Sequence, residues 1–210
     1  MKRLTIIILV LMLLAIPATS QNTRQQLNDP KCNLVETNSP AIRGIRLGMT
    51  LEQLFALFPG SSDRAEVKLA LEKAKSPKGY DVAELYFQPS TFANKDQFAG
   101  IDWILITSYK NQVRAITVNY IGPSSDGPRW RTVDKWIAKL SEAFGLPEAK
   151  HWVVANDINT RKFLTCNEFE IEASIENGTG AITLRNPRFL KEVQDRVKAE
   201  EEKKRNQFKP

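Results

Sequence analysis

Glu168-Phe169-Glu170-Ile171-Glu172-Ala173-Ser174-Ile175-Glu176 alternates polar and apolar residues without a break. Successive side chains of a strand point to opposite faces. Phe169, Ile171, Ala173 and Ile175 therefore share one face, and Glu168, Glu170, Glu172 and Glu176 line the other. A strand greasy on one side and charged on the other belongs to an antiparallel sheet with one face covered and one face wet. The segments around it agree. Arg161–Thr165 precedes it as a strand, and Ala181–Arg185 follows Asn177-Gly178-Thr179-Gly180 as its return. The Asn-Gly step suits a tight hairpin at positive φ, although Asn177-Gly178-Thr179 also spells a glycosylation sequon. Arg161 or Lys162 and Arg185 stand where they can pair with the acids across the sheet. A flat strand face cannot wrap a hard cation, so the carboxylate row reads as a solvated, charge-paired surface and no metal site is expected.

Working outward, the same order of elements occurs twice. Thr50 with Gln53 makes a capping box, and Leu51, Leu54, Phe55 and Phe58 form one apolar helical stripe that Pro59-Gly60 ends. A second helix is expected from Asp63, capped with Glu66, with Val67, Ala70, Leu71 and Ala74 as its stripe and Ser76-Pro77-Lys78-Gly79 as its stop. Period two then predicts strands at Val82–Gln88, Ile101–Tyr109 and Val113–Tyr120, the middle one apolar on both sides at its centre and so an inner strand. After the breaker Gly122–Pro128, Val133, Trp136, Ile137 and Leu140 repeat the helical stripe, with Gly145 as the C-terminal glycine and Pro147 blocking continuation. Strands follow at His151–Val154 and Arg161–Thr165, ahead of the hairpin already described. The expected fold is α+β: two helix-plus-antiparallel-sheet units, residues 41–121 and 131–187, joined by a linker 122–130, with the helices on one sheet face. Residues 188–210 form a charged tail, helical at its start through Phe189, Val193 and Val197 and frayed or disordered past about Glu200.

Met1-Lys2-Arg3, the apolar run Leu4–Ile16 and Pro17-Ala18-Thr19-Ser20 have the three parts of a secretory signal peptide, cleaved between Ser20 and Gln21. The expected location is therefore the periplasm or the cell exterior, with no membrane span in the mature chain. Residues 21–40 read as an extended lead-in. In an oxidising compartment the two cysteines, Cys32 and Cys166, are expected to form one disulfide, worth roughly 4 to 5 kcal/mol by chain entropy for so long a loop. The net charge of +6 falls to +4 once the leader is gone, and eight Lys/Arg against five Asp/Glu in residues 188–210 hold most of that excess. The folded part is close to neutral, so it lacks the concentrated charge of a nucleic-acid groove.

Candidate chemistry is sparse. His151 is the single histidine, no Gly-x-Ser-x-Gly elbow occurs, and His151 next to Trp152 reads as a packing residue at a strand edge. No catalytic residue and no cofactor are assigned. Trp103 and Trp136 occupy core-type positions, whereas Trp130, in the linker and flanked by Arg129 and Arg131, is the tryptophan expected at the surface. Trp and Arg are the residue types most enriched at interface hot spots, which makes Arg129, Trp130 and Arg131 a candidate partner contact. The competing reading folds Trp130 back as a staple on the following helix. Two function classes remain: an exported protein-binding module, or a small secreted hydrolase using carboxylates that the fold brings together.

Arg43-Gly44-Ile45-Arg46-Leu47-Gly48-Met49-Thr50-Leu51-Glu52-Gln53-Leu54 resembles the Gly-Met-Thr/Ser-x-Glu-x-Val/Leu start of small bacterial envelope modules. These are the BamE-like outer-membrane assembly proteins and the β-lactamase-inhibitor-protein fold, and secreted bacterial proteins with an Arg-Gly-x-Arg-Leu-Gly-Met opening are more similar still. The resemblance implies helices packed on one face of an antiparallel sheet and a protein-binding role, with another envelope protein as the expected partner. Cys32 follows Asp29-Pro30-Lys31 and not the small apolar residues of a lipoprotein leader, which departs from the BamE pattern.

Overall fold

A computed structural model describes residues 32–154 and 159–207. The expected signal peptide and residues 21–31 of the lead-in lie outside the described residues, as do 208–210 of the tail. Among the described residues no helix is long and apolar enough to cross a membrane.

The chain is α+β. The seven strands among the described residues are β1 (Val82–Phe87), β2 (Ile101–Tyr109), β3 (Gln112–Tyr120), β4 (Val153–Val154), β5 (Arg161–Thr165), β6 (Glu170–Glu176) and β7 (Thr179–Arg185). They form a single antiparallel sheet in the order β1-β2-β3-β7-β6-β5-β4. Two meanders thus run toward each other and meet at their last strands, β3 and β7, where Ile116 pairs with Leu184 and Val118 with Ile182. The helices are α1 (Leu51–Leu57), α2 (Ala65–Lys75), α3 (Val133–Phe144) and α4 (Pro187–Gln207).

Register assigns the two faces. Leu85, Ile106, Ile116, Leu184, Ile171 and Leu164 form one continuous row across six strands, and each is at most 1% exposed. Helices α1, α2 and α3 cover this face. Phe58, just past α1, stacks on Phe87 and Phe98 at 4.3 and 4.7 Å between ring centroids. Trp136 of α3 lies flat on β7, where a Cβ on Gly180 would come within 2.8 Å of the indole, so only glycine admits it. One hydrophobic cluster runs from Ile42 to Leu184 through both halves.

Local sequence explains most elements. Thr50 and Gln53 make both bonds of the capping box, and Gly145 closes α3 at φ +65°. Asn177 (φ +52°) and Gly178 (φ +87°) make the expected two-residue hairpin between β6 and β7. Three expectations are corrected. Asp63 belongs to a short 3-10 turn, and α2 starts at Ala65 behind Arg64 with no side-chain cap. His151 is exposed on a 3-10 turn, and the packing falls to Trp152, whose indole N–H donates to the Pro147 carbonyl. The tail continues as helix to Gln207. This helix, α4, lies off the face that the other three cover: Phe189 packs against Tyr109 on the opposite side.

Cys32 and Cys166 are bridged, closing a loop of sequence separation 134. Cys32 and Thr165 also share a backbone bond of 3.3 Å, so the lead-in is sewn to the end of β5.

Candidate functional site: the open face of the sheet

The face opposite the helices has no covering element over β3, β7, β6 and β5 among the described residues. Its middle row, taken strand by strand, is Tyr86, Leu105, Thr117, Thr183, Glu172 and Phe163. A second row holds Glu84, Thr107, Ala115, Arg185 and Glu170, and a third holds Trp103, Asn119, Ala181, Ser174 and Arg161. Most of these side chains are half-buried by their neighbours alone, and Tyr86 is 54% exposed. Short side chains (Ala115, Thr117, Ala181, Thr183) occupy the middle strands, while rings stand on both flanks.

The acids of the opening stretch behave largely as expected. Arg185 Nε meets Glu170 at 2.9 Å and Arg161 Nε meets Glu172 at 3.0 Å. The Arg185 guanidinium also lies over the Phe163 ring, 5.5 Å from its centroid. Thr117 and Thr183 share a hydroxyl bond of 3.0 Å between β3 and β7. Lys162 does not join this ladder, because the alternation turns it to the helical face, where it pairs with Asp134 of α3 at 2.5 Å. Glu84, Asp102 and Glu176, also exposed, have no cationic partner among the described residues.

Trp103 corrects the sequence reading. It belongs to the open face, half-buried, with its ring 6.1 Å from that of Tyr86. A bulge between Ile101 and Trp103 shifts the register there, and a strand apolar on both sides carries no periodic signal for which side is wet. Trp130 is also half-buried: its ring sits 5.0 Å from Trp136 and its backbone N–H donates to the Gly178 carbonyl at 2.9 Å. Arg129 and Arg131 on either side are exposed.

Glu168 is the acid that leaves the row. It lies in the turn before β6, accepts the backbone N–H of Glu36 at 3.0 Å and stands 3.8 Å from Arg188 at the start of α4. Glu36 accepts from Arg114 Nη1 at 2.8 Å and from the Asn186 side-chain amide. A Cβ on Gly48 would come within 2.9 Å of the Glu36 carboxylate. The Leu-Gly-Met glycine therefore makes room for this carboxylate as well as for its own φ of +77°. A cleft of about 510 Å³ opens beside this knot, lined by Glu36, Arg46, Gln53, Gln112 and Glu168 among others. Sequence reasoning missed the knot. Glu36 lies in the segment read only as an extended lead-in, and no local pattern marks it.

Chemically, the knot is a set of ion pairs and amide bonds tying the lead-in, β3, the β5–β6 turn and α4 together, with the Arg114 Nε left buried and without a hydrogen-bond partner among the described residues. The open face is a broad array of rings, hydroxyls and paired charges. No family model, no curated protein and no solved structure matches the chain.

Proposed function

We propose that the chain is an exported, non-enzymatic protein-binding module of the cell envelope or exterior, and that the open sheet face is its binding surface. The observation that carries this reading is the asymmetry of the sheet: one side is sealed by α1, α2 and α3, while the other carries α4 only at the Tyr109 end of β2 and presents half-buried rings and paired charges over the rest. Broad, mixed polar and aromatic surfaces suit protein partners, whereas small-molecule sites are concave and enclosed. The two carboxylates that the fold does bring together, Glu36 and Glu168, are engaged by Arg114, Asn186 and a backbone N–H. That engagement favours a structural role over acid–base work.

Two finer readings go with it. The meanders meeting at β3 and β7 support a pair of α+β units related to the BamE and β-lactamase-inhibitor-protein modules. Arg129 and Arg131, exposed beside the β6–β7 hairpin, extend the contact at one rim, with Trp130 anchoring them.

Placing Thr117→Arg and Thr183→Arg together puts two bulky cations at the centre of the face with no change to the core. The mature wild-type protein, immobilised, should retain a defined partner from envelope extract, and the double variant should lose it while its melting temperature falls by only a few degrees, the cost of one hydroxyl bond and of two like charges side by side. Hydrolysis of a panel substrate by the wild type, abolished by Glu168→Gln, would instead move the protein to the hydrolase class.

A further inference from the structure

The sheet ends differently on its two sides. Strand β4 is two residues long, too short to template another strand. Strand β1 spans six residues, Val82-Ala83-Glu84-Leu85-Tyr86-Phe87, with no proline, lysine or bulge to blunt it.

Backbone alternation shows which groups this edge leaves unpaired. The β2–β3 turn, Lys110 (φ +50°) and Asn111 (φ +62°), is a two-residue hairpin flanked by the Tyr109–Gln112 pair. In such hairpins the flanking pair bonds to each other, so Tyr109 directs its backbone toward β3 and Ser108 directs its own toward β1. The Lys110 N–H donating to the Asp81 carbonyl at 3.1 Å sets the same phase. Ala83, Leu85 and Phe87 therefore bond to β2, and Glu84 and Tyr86 aim N–H and C=O off the sheet. The Val82 N–H is taken by the Gly79 carbonyl at 2.9 Å, but those of Glu84 and Tyr86 have no backbone partner among the described residues.

The side chains at these two residues define the chemistry of an occupant. Ala83, Leu85 and Phe87 are buried under the helices, so an added strand would meet apolar surface on that side. On the other side stand Glu84, exposed and without a cationic partner among the described residues, and Tyr86, 54% exposed with one flank on Trp103. A carboxylate and an open aromatic ring two residues apart both select a cation, the first by Coulomb attraction and the second by cation–π contact.

We propose that the edge of β1 accepts an extended segment of a partner protein as an eighth strand, with Lys or Arg opposite Glu84 and Tyr86 and apolar residues between them. This rests on the protein-binding reading but not on the open face being the surface used. A second copy of this chain fits less well, because β1 itself offers Glu and Tyr at the positions that call for cations.

A capped six-residue peptide of alternating Lys and Val, titrated against the mature chain and followed by calorimetry and tryptophan fluorescence, tests the edge. Binding should fall at least tenfold when alternate peptide nitrogens are methylated to block edge pairing, and also with the Glu84→Lys variant. A Glu-Val peptide should in turn bind Glu84→Lys better than the wild type. The Thr117→Arg, Thr183→Arg protein should bind the Lys-Val peptide as well as the wild type does. If that variant loses the peptide, the segment lies across the face and the edge proposal fails while the protein-binding function stands. No binding, equal binding of a scrambled or methylated peptide, or a β1-mediated dimer of the wild type in sedimentation would each overturn the proposal.

Discussion

The two faces of this sheet are built from the same strands and do opposite things. On β3, Ile116 is fully buried beneath the helices, while its neighbour Thr117 is half-buried and bonded sideways to Thr183. One residue of chain separates a position that holds the fold together from one whose side chain adds little to stability. Burial of apolar area is worth roughly 25 cal/mol per Å², and the helical face collects nearly all of it. Contacts on the open face are a hydroxyl pair, partly screened ion pairs, the Tyr86–Trp103 ring contact and the Arg185–Phe163 cation–π contact, each worth about 1 kcal/mol. A surface whose side chains contribute so little to folding is where residues can be selected for another purpose.

The sharpest break of this comparison is a pair of substitutions at adjacent positions. Ile116→Ala removes a core side chain and should destabilise the chain by roughly 3 to 4 kcal/mol. Thr117→Ala loses one partly solvated hydrogen bond and should cost about 0.5 to 1 kcal/mol. Urea titrations of both variants give the two values directly. Equal effects would mean the open face is covered in solution by something else.

How much of this asymmetry can be read from the chain alone depends on where periodicity is clean. Strand β6 declares its faces because Phe169, Ile171 and Ala173 alternate with glutamates, and the α3 stripe Val133, Trp136, Ile137, Leu140 is buried throughout. Strand β2 declares nothing at its centre, since Trp103-Ile104-Leu105-Ile106 is apolar at every position, and the pattern alone places Trp103 in the core. The β3–β7 pairing that unites the sheet is a contact between distant segments with no local signal. The knot is hidden for the same reason: Glu36 meets Arg114 and Asn186 at separations of 78 and 150 residues. Charge density past Glu200 reads as disorder in the sequence, yet the helix continues to Gln207. In the fold, Arg196 pairs with Asp81 at 3.0 Å and Tyr80 donates to Glu200 at 3.0 Å, bracing the helix against the start of β1.

Alkaline titration sharpens the comparison at the rim of the covered face. Tyr120 packs edge-on against Trp136, 4.9 Å between centroids, and burial pushes its phenol up to about 12. The unfolded chain ionises near 10, so the neutral phenol favours the folded state. Its contribution is complete below pH 10 and is lost as pH rises from 10 through 12. Between those limits the wild type should lose roughly 2 to 3 kcal/mol more than Tyr120→Phe. Parallel denaturation curves at pH 9 and pH 11.5 measure the difference. Identical slopes for the two proteins would show that Tyr120 is as wet as a residue of the open face.

Trp130 decides on which side of the comparison the linker belongs. Thr132 caps α3, accepting from the Lys135 N–H at 3.3 Å. Trp130 thus stands one residue ahead of the usual staple position, and Trp136 is the fourth residue of the helix. The two indoles meet at 5.0 Å and 47°, while the Trp130 backbone N–H ties the linker to the β6–β7 hairpin at Gly178. An indole that is half-buried against another ring should cost roughly 2 kcal/mol on truncation to alanine, less than a fully buried aromatic and more than a surface one. Arg129→Ala and Arg131→Ala, both exposed, should each stay within about 0.5 kcal/mol. If Trp130→Ala destabilises by this amount, Trp130 works as a staple for α3 and partner contact at the linker falls to the two arginines. If melting is unchanged and partner capture is lost, the linker belongs with the open face as a second contact surface.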